Sequence, residues 1–240
     1  MCEGRTVLFS GAHGQQDRAF FLPNNQKTKG ERMLSQIDAG DDLHYHLPVR
    51  LSLIKDVFIE RETSIKVDTS TLIEKQVGGL ATNLVRLYFR FVHPVYPILQ
   101  KKRFLQLFRT NRGKISPALR GCIYGIGARW LSFDDVIGDR PALDESTLIA
   151  ISRTALDREL ESPNLESLQT CLLMLHETPQ PTSIIESPRL WACVGQAVSV
   201  AQSLGLHMDP MSWRLENWEK ALRKKLWWSV FQADKWYDCS

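Results

Sequence analysis

The residues of this sequence best suited to metal or nucleophilic chemistry are its six histidines and five cysteines. His44 and His46 flank Tyr45, but two histidines in a flexible leader are too few ligands for a zinc site. His176 precedes Glu177 without the second histidine that a zinc-protease helix needs. The histidine spacing therefore predicts no metal site.

The cysteines are scattered, and no two of them form a CxxC pair. Three lie inside apolar stretches with helical periodicity, where a reduced thiol packs as a small hydrophobic group. These three are Cys122, Cys171 and Cys193, and the other two are Cys2 and Cys239. We expect a reducing compartment, no structural zinc and no disulfide framework.

Enzyme motifs are missing from the sequence. It contains no GxSxG elbow, no P-loop and no paired carboxylates in an apolar setting that the pattern identifies. The stretch GCIYGIG, residues 121–127, has the glycines of a phosphate loop, but it lies within helical patterning and no strand precedes it. Close packing between helices explains these glycines better, and we expect no enzyme activity.

The stretch from Lys220 to Ser240 combines a basic run with three tryptophans. Three interpretations remain open: a core helix, a nucleic-acid contact and an amphipathic helix at a membrane surface. The spacing favours the core helix, with the cations in water or against Glu216 and Glu219. Its predicted buried side comprises Leu222, Leu226, Trp227, Val230 and Phe231.

Composition and charge are those of an ordinary globular protein. The chain has 240 residues, 43% hydrophobic and 24% charged, and a net charge of +3. This small excess of positive charge does not by itself predict a nucleic-acid surface. No secretory signal begins the sequence, and its richest apolar segment, Leu190 to Leu206, is interrupted by polar residues. We expect a soluble intracellular protein.

Hydrophobic periodicity predicts an all-α fold, an irregular multi-helix bundle with a loosely structured N-terminal leader. We place the leader at residues 1–65, where Phe20, Phe21 and Leu22 could dock onto the domain, and the helical domain at 66–240. Helices are predicted from Asp68 to Pro94 and over 101–110, 116–133, 146–162, 164–178, 189–206 and 215–240. Gly205 is predicted to end its helix in a left-handed turn. We find no strand pair.

An ordered series of motifs runs along residues 70–240. It begins with LVRLYFRFVHPVYPILQKKRFLQLF and continues through SPALRGCIYGIGARW and NLESLQTCLLMLHE. RLWACVGQAVSVAQSLGLHMDP and an Arg-x-x-x-Trp-Trp motif followed by an aspartate complete it. The series resembles the N-terminal portion of the fungal-specific transcription factor domain, the middle homology region of binuclear zinc-cluster regulators. The signature positions are Phe89, His93, Pro94, Tyr96, Pro97, Trp191, Gly205, Arg223, Trp227, Trp228 and Asp234.

The resemblance implies a nuclear regulator of RNA polymerase II transcription, whose helical scaffold restrains or transmits activation. Relatives carry a six-cysteine zinc cluster upstream, and this sequence contains none. Zinc is therefore expected only in that cluster, and no cofactor is expected in this chain. The implied partners are a second copy or a related regulator, DNA through a missing or partner cluster, and a small-molecule effector, with no membrane.

A second departure concerns the end of the sequence. The family's domain continues through a Gly-Arg-Pro turn after the Trp-Trp helix, so we expect the front portion of a regulatory domain here. The uncovered aromatic face would then comprise Trp227, Trp228, Phe231 and Trp236, and it predicts poor solubility.

A different class of function stays open beside this one. A stand-alone all-α module could bind an apolar small molecule or a protein without any transcriptional role. Trp130, Met174, Trp191 and Trp227 could line such a site, although aromatic residues at helical spacing usually form core.

Overall fold

A computed structural model describes residues 5–10, 33–34, 50–55, 59–134, 143–176, 188–213 and 215–238, with side chains described from residue 66 to residue 236 of these. Three strands come first: β1 Arg5–Ser10, β2 Met33–Leu34 and β3 Arg50–Lys55. The described helices then follow as α1 Ile59–Val77, α2 Ala81–Leu87, α3 Lys101–Thr110, α4 Pro117–Ala128, α5 Glu145–Glu159, α6 Leu165–Met174, α7 Pro188–Ser203 and α8 Asn217–Asp238. A π-helical segment, Tyr88–Val92, extends α2.

The all-α prediction is confirmed for the helical bundle, but the strands were not foreseen. β3 lies in the centre of a small antiparallel sheet. Arg5 of β1 lies opposite Lys55 of β3, and Leu34 of β2 lies opposite Leu51 of β3. β1 and β3 are separated by about forty residues, so their pairing has no hairpin signal in the local sequence.

Helix α4 is the centre of the bundle, and every one of its residues is buried. It packs against α1, α2, α5 and α6. A helix that is apolar on all sides is typical of such a central position. Its three glycines allow the close approach that the sequence predicted. An added Cβ at Gly121 would lie 2.5 Å from Ser152 Oγ, and one at Gly125 would lie 2.8 Å from Ile149 Cδ1.

Local capping signals locate the starts of two helices correctly. The Ser116 hydroxyl accepts a hydrogen bond from the Leu119 amide at 3.2 Å, and Pro117 takes the first position of α4. The Asn164 side chain accepts from the amides of Glu166 and Ser167 and forms a capping box at α6.

The predicted helix from Asp68 to Pro94 is wrong at its start and in its continuity. Helix α1 begins at Ile59 and ends at Val77, and Gly78 and Gly79 then take φ values of 57° and 88°. This left-handed glycine pair interrupts the helix between two stretches with the same apolar periodicity. Because α1 spans residues on both sides of 65, the boundary between leader and domain stays a prediction.

Several other predictions lie outside the described residues. The docking of Phe20, Phe21 and Leu22 is one, and the histidine pair His44 and His46 is another. Among the described residues, no helix is long and apolar enough to span a bilayer.

Candidate functional site

The first group of signature residues lies at the end of the π-helical segment. Phe89 is buried, and its ring centroid is 5.5 Å from that of Phe104 in α3 and 5.0 Å from that of His93. The His93 amide donates to the Tyr88 carbonyl at 3.0 Å, which closes the wide turn. Pro94 and Pro97 follow on the surface, where they cannot continue the helical hydrogen-bond ladder. The segment thus forms a turn anchored on α3.

His93 lies in a positively charged setting. Burial lowers its pKa first, and the neighbouring ammonium groups of Lys101 in α3 and Lys225 in α8 lower it further. The Lys101 ammonium also lies 5.4 Å from the centre of the Phe89 ring. At neutral pH the neutral imidazole is favoured, so His93 serves as a packing group rather than a cation.

Tyr96 connects this turn to two helices. Its ring centroid is 4.3 Å from that of His176, next to α6, and the Ser229 hydroxyl of α8 lies beside its phenol. Burial raises the pKa of Tyr96 to about 12, and the Ser229 hydroxyl opposes that shift. The phenol therefore remains protonated and holds the turn against α8.

Arg223 forms a second junction, between α7 and α8. Its guanidinium donates to the Leu204 carbonyl at 3.2 Å and to Glu219 Oε1 at 3.1 Å. The guanidinium carbon lies 5.4 Å from the centre of the Trp213 ring. Gly205, with φ of 70°, ends α7 in the predicted left-handed turn. Arg223 thus binds a carbonyl at the end of α7 that helix geometry leaves without a partner.

The Gly205 turn is a Schellman motif. The Leu206 amide donates to the Ala201 carbonyl at 2.9 Å, and the Gly205 amide donates to the Gln202 carbonyl at 2.9 Å. Both bonds require the chain to reverse within two residues, which explains why glycine is needed at this point.

The tryptophans of the signature divide between core and surface. Trp227 packs against the core, with its ring centroid 6.1 Å from that of His207. Trp228 is 65% exposed and Trp191 is 44% exposed. Asp234 is partly exposed, and one of its carboxylate oxygens lies 3.8 Å from the Lys235 ammonium. The Arg-x-x-x-Trp-Trp motif therefore places its arginine and first tryptophan inward and its second tryptophan outward.

The predicted buried side of α8 is correct at three positions and wrong at one. Leu222, Leu226 and Val230 are buried, whereas Phe231 is 43% exposed and forms an edge-to-face pair with Trp228. The three buried residues recur at every fourth position, and Phe231 comes one residue after the last of them.

Contacts between distant segments were not identified from the sequence. The Arg103 guanidinium of α3 lies 3.8 Å from the centre of the Trp218 ring in α8. In the basic run of α8, Arg223 pairs with Glu219 as the sequence predicted, whereas Lys224 pairs with Asp209 at 3.0 Å, a partner that the sequence did not indicate. Arg103 and Trp218 are more than one hundred positions apart, so no local pattern indicates their contact.

A pair of carboxylates, absent from the sequence prediction, meets at Ser116. The Ser116 hydroxyl lies 2.6 Å from Glu159 Oε2 at the end of α5, and its amide donates to Glu166 Oε2 of α6 at 2.7 Å. Burial raises the pKa of Glu166 to about 7, and the Glu159 carboxylate contributes to this shift. The arrangement fixes the starts of α4 and α6 against the end of α5. Ser116 is an N-cap, so its hydroxyl has a structural partner on each side.

The remaining candidates for chemistry are buried thiols. Cys122, Cys171 and Cys193 are all buried, and the Cys193 thiol donates to the Cys171 carbonyl at 3.4 Å. Burial raises the pKa of the Cys171 thiol to about 12. No group of three or more potential metal ligands occurs in the described part of the chain.

The four residues proposed for a ligand site lie in different environments. Met174 is fully buried, and Trp191 is exposed. Trp130 stacks on Phe91 with centroids 4.6 Å apart, whereas Trp227 faces His207. These positions do not favour a shared ligand site.

The geometry thus shows a helical scaffold whose signature residues join α3, α7 and α8, and comparison with known proteins identifies it. Residues 85–239 match the Fungal specific transcription factor domain. The chain belongs to this family. The resemblance inferred from the motifs is therefore confirmed.

Similar proteins are named as transcription regulators. An uncharacterized transcriptional regulatory protein of Schizosaccharomyces pombe is 32% identical over 70% of this chain and 25% of its own length. Transcriptional activator protein DAL81 of Saccharomyces cerevisiae is 30% identical over 75% of this chain and 18% of its own length. The acetamidase regulatory protein of Aspergillus fumigatus is 27% identical over 90% of this chain and 27% of its own length.

The chain therefore spans about a quarter or less of the length of these relatives. No solved structure matches it. Within these limits, the chain carries a fungal transcription factor regulatory domain.

Proposed function

We propose that this chain acts in the nucleus as a scaffold that controls RNA polymerase II transcription, without enzymatic activity. The strongest support for this role comes from the contacts that the signature residues make between helices. Arg223 and Tyr96 pack helices together, and no group of three or more potential metal ligands occurs in the described part of the chain. The names of the relatives, which are transcription regulators, agree with this role.

We also propose how the chain reaches DNA. Three basic residues of α8 are engaged within the protein: Lys224 pairs with Asp209, Arg223 pairs with Glu219, and Lys220 donates to the Met211 carbonyl. DNA contact would therefore come through the zinc cluster of a partner regulator or of sequence beyond this chain. The chain itself would bind no cofactor, and a second copy or a related regulator would be its partner. We further propose that the chain responds to a small-molecule effector and does not associate with a membrane.

A tethered reporter assay tests the regulatory role. The full chain is fused to a heterologous DNA-binding module in a fungal reporter strain, and transcription is compared with that from the module alone. Arg223→Met should abolish the effect of the chain, because it removes the bonds to Leu204 and Glu219 that join α7 to α8.

Lys102→Met is the matched control, because this cation is exposed on α3 and makes no hydrogen bond or ion pair with any residue that the structure describes. It should leave the effect of the chain unchanged at equal protein level. Reporter transcription that is the same with and without the chain would contradict the proposed role.

The partner proposal has its own measurement. The full chain is used as bait in a fungal nuclear extract, and bound proteins are identified by mass spectrometry. Recovery of zinc-cluster regulators is the expected result, and their absence would count against the pairing.

A further inference from the structure

Arg120 is a fully buried cation at the centre of the bundle, with 1% of its surface exposed. Its Nε donates to the Ile115 carbonyl at 3.2 Å. Its two terminal nitrogens donate to α1: Nη1 to Glu74 Oε1 at 2.8 Å and Nη2 to Ser70 Oγ at 2.6 Å. A buried charge that loses its partners is strongly destabilising. Arg120 therefore requires α1 in place.

Glu74 accepts two further hydrogen bonds from the same surface. Arg112 Nη1 donates to Glu74 Oε2 at 2.9 Å, and the Tyr124 hydroxyl donates to Glu74 Oε1 at 3.0 Å. Burial raises the pKa of Tyr124, and the Glu74 carboxylate raises it further, so this phenol stays a donor. We call Arg112, Arg120 and Tyr124 the arginine socket. The socket binds one carboxylate with donors from three side chains.

The rest of α1 divides into a docked side and an open side. Ile73 and Val77 are buried, and Ile73 Cδ1 would lie 3.1 Å from a Cβ added at Gly121. Val67 and Leu72, in contrast, are 58% and 44% exposed.

Two glycines connect α1 to the rest of the bundle. Gly78 and Gly79 both have positive φ values, and a Cβ added at either one would meet no atom within 4 Å. The backbone freedom of these two glycines, and the open space at both Cβ positions, permit a change of chain direction at this joint between the buried residues Val77 and Leu80.

Helix α1 also lies outside the residues that define the family. The family match begins at residue 85, whereas the similarity to the acetamidase regulatory protein of Aspergillus fumigatus extends over 90% of the chain and so includes α1. Strand β3 ends at Lys55, close before α1 begins at Ile59.

We propose that α1 is a docking helix that opens as a separate unit, and that Glu74 in the arginine socket locks it onto the regulatory domain. The lock couples α1 to the bundle. Closing places the carboxylate in the socket, and opening about Gly78 and Gly79 exposes Arg112, Arg120 and Tyr124. The inference concerns the opening of the helix and is independent of any transcriptional readout.

Hydrogen exchange followed by mass spectrometry on the full chain tests the lock. Glu74→Gln keeps the shape of the side chain but removes its charge, and hydrogen bonds to charged groups are about twice as strong as neutral ones. We expect the amides of α1 to exchange about ten-fold faster or more in this variant, because loss of the charge weakens the hydrogen bonds that Glu74 accepts from Arg112 and Arg120. The amides of α6 should exchange at the wild-type rate.

Glu161→Gln is the matched control, because Glu161 is an exposed acid in the turn after α5. It should leave exchange in α1 unchanged. Equal exchange of α1 in the wild type and Glu74→Gln would overturn the proposal, and so would equal acceleration in α1 and α6. If Glu74→Gln does not fold, Ser70→Ala, which removes only the 2.6 Å bond from Arg120, must show the same α1-specific acceleration.

Discussion

At the scale of single residues, the carboxylate pair at Ser116 makes stability depend on pH near neutrality. The groups around Glu166 are Glu159 from α5, Arg120 from α4 and Lys66 from α1. Burial is the largest influence and raises the pKa of Glu166 from 4.5 to about 7. The folded protein therefore holds a proton that the unfolded chain releases at lower pH.

Glu166→Gln should change the pH dependence of unfolding. In the wild type, the contribution of Glu166 to the free energy of unfolding should be largest below about pH 4.5 and should decrease as pH rises to about 7, because ionised Glu166 is disfavoured in the fold. The difference in the free energy of unfolding between the variant and the wild type should therefore grow by about 2 kcal/mol, in favour of the variant, as pH rises from 5 to 8. Urea unfolding at a series of pH values measures this difference.

The exposed acid Glu161 provides the comparison for that experiment. Glu161→Gln should follow the wild-type pH dependence. If Glu166→Gln follows it as well, the Glu166 carboxyl does not titrate in this range.

At the scale of helices, the packing of α4 depends on the absence of side chains at particular points. An alanine Cβ at Gly127 would overlap the carbonyl group of Leu84 in α2. Backbone atoms cannot rotate away as a side chain can, so the helices must separate.

Gly127→Ala should therefore lower the free energy of unfolding by about 1–3 kcal/mol, even though alanine favours helix formation. Chemical denaturation measures the change. The control is Gly195→Ala in α7, where a Cβ would meet no atom within 4 Å. That substitution should leave stability unchanged or raise it by about 0.5–1 kcal/mol. A larger loss at Gly195 than at Gly127 would contradict the packing argument.

Local sequence predicted the ends of helices better than their interruptions. Ser116, Asn164 and Gly205 act through bonds to residues within a few positions, so their types are sufficient to indicate a cap or a turn. The break at Gly78 and Gly79 was missed because the apolar periodicity continues across it. A repeat of threes and fours does not show whether two stretches share one axis.

At the scale of the whole molecule, the outward side of α8 is an apolar surface. Trp228, Phe231 and Trp236 are 65%, 43% and 69% exposed. Exposed aromatic residues that lie this close together promote association, which supports the prediction of poor solubility.

Trp228→Lys combined with Phe231→Gln should reduce self-association, because it removes the edge-to-face aromatic pair from the surface. Analytical ultracentrifugation over a range of protein concentrations measures the change. Val67→Gln, which replaces an exposed apolar residue on α1, is the control and should have little effect. A wild-type chain that stays monomeric and unfolds in one sharp transition would contradict the prediction.

The sequence predicted the fold class and the family, but not the long-range polar contacts. The helical periodicity and the ordered motifs are properties of neighbouring residues, so they can be read directly. Glu159 and Glu166, in contrast, meet at Ser116 from more than forty positions away, and Arg120 reaches α1 from a similar separation. Such contacts depend on how the helices pack, and no local pattern indicates them. The β1–β3 pairing was missed for the same reason.

The three glycines of α4 have different consequences for how this sequence can change over time. At Gly121 and Gly125, the opposing atoms belong to the side chains of Ser152 and Ile149. A larger residue at either glycine could be accommodated by a smaller one at its partner, so these pairs should covary among relatives. At Gly127, the opposing atoms belong to the backbone of Leu84, and no substitution there makes room. Gly127 should therefore remain glycine even where both of its neighbours in the sequence have diverged.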